Sequence, residues 1–146
     1  MKEKDTHRLV AQYLHVAYPR IIFASDFAAG LKLPIWLAKR QKELRSGKSY
    51  PDMFIAEPRG AYHGLFLELK KEGTQVYKRN GAVRASKDDR LQLQHDIIVA
   101  LNSKGYYASF AIGYENAKLI IDWYLQGGVG KVITSDSTIT EDGTPF

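Results

Sequence analysis

The stretch Gly64-Leu65-Phe66-Leu67-Glu68-Leu69-Lys70, preceded by Pro51-Asp52-Met53-Phe54-Ile55-Ala56, decides how this chain is read. Side chains alternate along a strand, so Leu65, Leu67 and Leu69 take one face and Phe66, Glu68 and Lys70 the other. A run this apolar is expected in a central strand covered on both sides. Met53 to Ala56 forms a second short strand, and Pro58-Arg59-Gly60 supplies turn chemistry between the two. The two strands are expected to pair as a hairpin or as neighbours.

This arrangement carries the chemistry. Asp52 opens one strand, and Glu68 and Lys70 share a face of the next, so carboxylates from two neighbouring strands can converge on one point. Converging oxygen ligands suit a hard cation such as Mg²⁺ or Mn²⁺. The Lys70 ammonium beside them is a compact charge for a phosphate or a water. Those are the parts phosphodiester hydrolysis needs. Taken alone, Glu-x-Lys also describes a solvated strand face with a weak ion pair. The apolar neighbours argue otherwise, because a charge embedded among them is costly unless paired or metal-bound.

Outward from these strands, residues 3–17 have the spacing of a helix, with Leu9, Val10, Tyr13, Leu14 and Ala17 on one side and Pro19 ending the run. Residues 20–24 form a short β-branched and aromatic strand. Residues 34–46 are expected to form a helix with a cationic face, with Pro34 in its first turn. Residues 71–85 are polar, contain Gly73 and Gly81, and are expected to be a mobile loop. Ser86 is placed to cap a helix that runs to about Lys104, with Asp88 and Asp89 in its first turn and Gly105 as its stop. A strand over 106–112, a helix over 114–126 and a further strand over 131–134 complete the order. The fold class is α/β, a central mixed β-sheet flanked by helices. One domain over 1–126 is expected, with 127–146 as a C-terminal extension.

The whole chain has 146 residues, 25% of them charged and 45% hydrophobic, which fits one hydrophobic core and excludes a disordered chain. No run approaches the roughly 18 apolar residues of a membrane span. The charged start MKEKDTHRL lacks a secretory apolar region, so a cytoplasmic protein is expected. With no cysteine, thiolate metal sites and cysteine nucleophiles are excluded. The net charge of +5 favours an acidic partner, nucleic acid first. Basic residues concentrate at Lys32, Lys39, Arg40, Lys42, Arg45 and Lys48, and again at Lys70, Lys71, Lys78, Arg79, Arg84, Lys87 and Arg90. Of these, Lys39, Arg40, Lys42, Lys71, Lys78, Arg79, Arg84 and Lys87 are the DNA-contact candidates.

Pro51-Asp52 followed by Glu68-Leu69-Lys70 matches the PD-(D/E)XK nuclease signature, and the order of elements resembles its VRR-NUC (virus-type replication-repair nuclease) branch. The likeness spans about residues 3–125 and includes Gln94 on the helix after the loop and Gly113-Tyr114-Glu115-Asn116-Ala117 at the start of the last helix. One departure is Ser49-Tyr50, which stands where a glycine beside the proline is usual. The resemblance implies a restriction-endonuclease-like core. It implies Asp52, Glu68 and the Leu69 carbonyl as metal ligands and Lys70 as the residue that positions water or stabilises the phosphorane. It gives Gln94 a water- or phosphate-orienting role, the alternative being a capped polar interface. It also implies an acid on the first helix, Glu3 or its competitor Asp5.

The activity implied is a Mg²⁺- or Mn²⁺-dependent endodeoxyribonuclease of phage or bacterial type, selective for branched DNA such as a Holliday junction or flap, and acting as a homodimer. A non-catalytic nucleic-acid-binding module and a sequence-specific restriction endonuclease are the alternatives, and RNA stays open as substrate. His63 either approaches a phosphate or sits in a surface turn, and His7, His15 and His95 show no paired metal spacing. Tyr62, Tyr77, Tyr106 and Tyr107 either stack on bases or belong to the core.

Overall fold

In a computed structural model of the chain, residues 2–26, 28, 31–46 and 49–127 are described. Helix α1 (Glu3–Ala17) begins with two acids in its first turn, where they complement the helix dipole. It ends two residues before Pro19, with the Tyr18 amide bonded to the Leu14 carbonyl. Strand β1 (Phe23–Ser25) and helix α2 (Ile35–Glu43) follow, then β2 (Met53–Ile55) and β3 (Leu65–Lys70). A single 3₁₀ turn over Lys87–Asp89 leads into α3 (Arg90–Ser103), β4 (Tyr107–Ile112) and α4 (Gly113–Leu125).

The four strands lie in the order β1-β2-β3-β4. The first two pairings are antiparallel and β3–β4 is parallel. A parallel pair needs a long crossover, and α3 provides it. All six residues of β3 are buried, as expected for a strand covered on both faces. Leu65, Leu67 and Leu69 pack with Val10 and Leu14 of α1 and with Ala117, Ile120, Ile121 and Tyr124 of α4. Phe66 faces the other way, into a smaller cluster with Val76, Ile98, Ala108, Phe110 and Ile112. The expected α/β class, a mixed sheet between helices, is therefore the observed one. No helix among the described residues is long and apolar enough to cross a membrane.

Four expectations need correction. The strand expected over 20–24 is Phe23–Ser25, because pairing with Met53–Ile55 sets its limits. Pro34 is the N-cap of α2 and not part of its first turn, and no residue of that helix is buried. The segment 71–85 is not a free loop. Val76 is fully buried, Tyr77 bridges to Val83, and the Arg84 amide bonds to the Val76 carbonyl, so the polar segment is pinned by one apolar residue. Asp88 and Asp89 do not open the helix in helical geometry. Both have positive φ, 56° and 52°, and Ser86 Oγ accepts from the Leu91 amide at 2.9 Å across them. The end of α3 is as expected, with Gly105 at φ 92°, where its missing Cβ also makes room for the His63 ring. The strand expected over 131–134 and the extension 127–146, apart from Gly127, lie outside the described residues.

Candidate active site

Strand register builds the site. Met53 pairs with Leu67 and Phe54 with Phe66, so one step further sets Asp52 opposite Glu68. Ser25 pairs with Met53, and the Asp26 amide bonds to the Asp52 carbonyl at 2.7 Å, which brings Asp26 into the same row. Three carboxylates, one just past the end of β1, one just before β2 and one within β3, therefore line up across the sheet. Asp52 is tied to β3 by the Leu69 amide, which donates to its Oδ2 at 2.9 Å. Within a strand a residue's N–H and C=O point to the same side, so the Leu69 carbonyl also faces the Asp52 side.

Glu68 is only 3% exposed. Its carboxyl is pushed well above the ordinary value of 4.5, first by burial, then by the charge of Asp52 and a hydrogen bond with it, and less by Glu3. Lys70, itself 8% exposed, opposes that shift. On α3, Gln94 is buried and its Nε2 donates to Glu68 Oε1 at 3.0 Å. The glutamine fixes the carboxylate's orientation, and its own Oε1 is left buried without a hydrogen-bond partner.

A polar cavity of about 440 Å³ opens over these groups, lined by Glu3, Asp52, Glu68 and Gln94. Glu3 is therefore the acid that α1 brings in, while Asp5 is exposed and does not line the cavity. Lys70 does not line it either, and its charge acts on Glu68 only by countering the raised pKa of that carboxyl. The eight DNA-contact candidates, Lys39, Arg40, Lys42, Lys71, Lys78, Arg79, Arg84 and Lys87, are all exposed, and none lines the cavity. Its basic lining is Lys32, Arg45 and Arg90. Arg45 is paired with Asp26 at 3.2 Å, and Asp26 also takes bonds from Gln41.

Besides Asp26, two helix residues enter the site that sequence reasoning did not place there. Arg90 lies one turn before Gln94 on α3, a spacing that puts both on one helix face. His7 lies one turn after Glu3 on α1, with its Nε2 3.6 Å from Asp52 Oδ2. Helical spacing could have flagged each, but only helix docking shows what that face meets. His63 is exposed beside Gly105 in a surface turn. Tyr107 is fully buried and belongs to the core, and Tyr62 packs against it. Tyr77 and Tyr106 pack against the second cluster.

The donor set fits a divalent cation. Asp52 and Glu68 meet inside the protein, Glu68 resists ionisation there, and buried donor atoms on Gln94 and His7 lack partners. A bound cation would compensate the carboxylate charge that burial penalises.

No protein-family model matches the sequence. No curated protein matches it. A solved structure described as a "VRR_NUC domain protein" superposes with a TM-score of 0.59 at 24% identity, over 86% of this chain and 89% of the other. The fold of this chain is that of a VRR-NUC domain.

Proposed function

We propose that the protein is a metal-dependent endodeoxyribonuclease that hydrolyses phosphodiester bonds, with branched DNA (a Holliday junction or a flap) as its substrate class. The observation that carries this reading is the Asp52–Glu68 pair, two carboxylates brought together by strand register at the floor of a polar cavity. The shared VRR-NUC fold supports it.

In this reading Asp52, Glu68 and the Leu69 carbonyl hold Mg²⁺ or Mn²⁺. When bound, the cation polarises the phosphoryl oxygen and makes a water molecule acidic enough to attack at neutral pH. Gln94 keeps Glu68 in the orientation needed for ligation. Lys70 supplies positive charge beside Glu68, where it can hold the attacking water or the non-bridging oxygen as charge builds in the transition state. Arg90 and Lys32 line the cavity and can take the scissile strand's phosphates. The exposed basic residues of α2 and of the 71–87 segment hold the DNA further out. A homodimer would present two such sites to a branched substrate of near two-fold symmetry. Light scattering tests that part separately.

A cleavage panel over single-stranded, duplex, flap and four-way DNA, with and without a chelator, tests the whole reading. Cleavage should need the divalent ion, favour the branched substrates and fall about 10²–10³-fold in Asp52→Asn. Binding without metal-dependent cleavage would leave the non-catalytic module standing. Cutting confined to one sequence in plain duplex would favour the restriction-enzyme reading.

A further inference from the structure

His7 is a buried histidine facing a group of acids. It is 7% exposed and lies one turn after Glu3, on the same face of α1. Its Nδ1 lies 3.0 Å from Ser25 Oγ. Its Nε2 has no hydrogen-bond partner. The nearest carboxylate oxygen, Asp52 Oδ2, is 3.6 Å away, beyond hydrogen-bond distance and already engaged by the Leu69 amide. Glu3, His7 and Asp52 each offer one ligand atom, all within 4.8 Å of one another. Donors about 2.0–2.2 Å from one ion stand roughly 3–4.4 Å apart, so small side-chain adjustments would close these three around a cation.

We propose that Glu3, His7 and Asp52 form a mixed nitrogen–oxygen cation site in which His7 Nε2 is a direct ligand. The site shares Asp52 with the carboxylate pair described above, so it rests on the reading that this cleft holds a divalent ion. Ser25 completes it. With Nδ1–H donating to the serine oxygen, the Nε2 lone pair is directed toward the acids, the second-sphere arrangement that metal-binding histidines use. An imidazole changes what the cleft selects. Oxygen-only sets suit Mg²⁺, whereas a nitrogen donor raises affinity for Mn²⁺ and the later first-row ions relative to Mg²⁺.

The test uses the full chain and Mn²⁺ alone, without DNA. Pulsed electron paramagnetic resonance of the bound ion detects a directly coordinated imidazole as ¹⁴N modulation. The wild type should show that modulation, and protein labelled with ¹⁵N-histidine should replace it with the ¹⁵N pattern. His7→Gln should still bind Mn²⁺ through the carboxylates but lose the modulation, and its preference for Mn²⁺ over Mg²⁺ should fall. Ser25→Ala should keep the modulation while binding Mn²⁺ about tenfold more weakly. Mn²⁺ bound by the wild type with no nitrogen modulation would overturn the His7 ligand while leaving the carboxylate site intact, and that result depends on no variant. Modulation unchanged in His7→Gln would overturn it equally, since the nitrogen would come from another histidine. Failure of the wild type to bind Mn²⁺ at all would remove both this site and the metal-dependent reading beneath it.

Discussion

Strand β3 and helix α2 contradict what their compositions suggest. In β3, LFLELK, all six residues are buried, including a glutamate and a lysine. In α2, IWLAKRQKE, none is, although it begins with Ile35, 89% exposed, and Trp36, 68% exposed. The difference lies in what surrounds each element. β3 is enclosed by strands on both edges and by apolar clusters on both faces. The polar links to α2 run through Asp26, which accepts from Gln41 and pairs with Arg45, just beyond the end of α2. Charges are kept inside β3 at a cost that only paired or ligated groups offset, which marks the strand as a site. Ile35 and Trp36 are on the surface while Leu37 and Ala38 are only half-buried, and the exposed cations Lys39, Arg40 and Lys42 can meet a polyanion.

The largest effect expected from this contrast is on stability. Leu67→Ala should cost about 2–5 kcal/mol, whereas Ile35→Ala should stay within about 0.5 kcal/mol. Urea melts of both variants would measure it. Equal losses would mean that α2 is packed against something as firmly as β3 is. Activity comes next. Asp52→Asn should lower single-turnover cleavage of branched DNA about 10²–10³-fold while leaving DNA binding in place. If α2 instead of the sheet carried the chemistry, that variant would cut normally.

A pH series sharpens the same point for Glu68. Its pKa is raised in the folded protein, so folding favours the protonated carboxyl. The associated stability is fully present below the ordinary value of 4.5 and is lost as pH rises through the raised one. Chelated wild-type protein should therefore lose thermal stability over that interval. Glu68→Gln should remove most of this dependence, and an identical slope in the variant would assign it to another group. The smallest effects belong to α2. Lys39→Ala, Arg40→Ala or Lys42→Ala should each reduce the salt dependence of DNA binding by about one unit of slope. The cleavage rate at saturating DNA should stay the same. A lowered rate instead would place α2 inside the catalytic machinery.

Much of the fold was legible because its signals are local. The 3–17 helix, the two apolar strands and the Gly105 stop follow from periodicity, Pro19 and a position that needs positive φ. Less legible were the segment around Val76, where one apolar residue anchors a polar stretch, and the bare surface of α2. Neither leaves a periodic trace. The positive φ of Asp88 and Asp89 was also hidden behind a sequence that reads as an ordinary helix start.

The candidate site divides along the same line. The sequence by itself determined that Asp52 precedes one strand and that Glu68 and Lys70 share a face of the next, because alternation is a property of the chain. It also placed Gln94 on a helix after them. Only the tertiary structure decided that Asp26 joins their row, that Arg90 lines the cavity and that His7 faces Asp52. Those placements depend on strand register and on how α1 and α3 dock, which are set by packing between residues far apart in the chain.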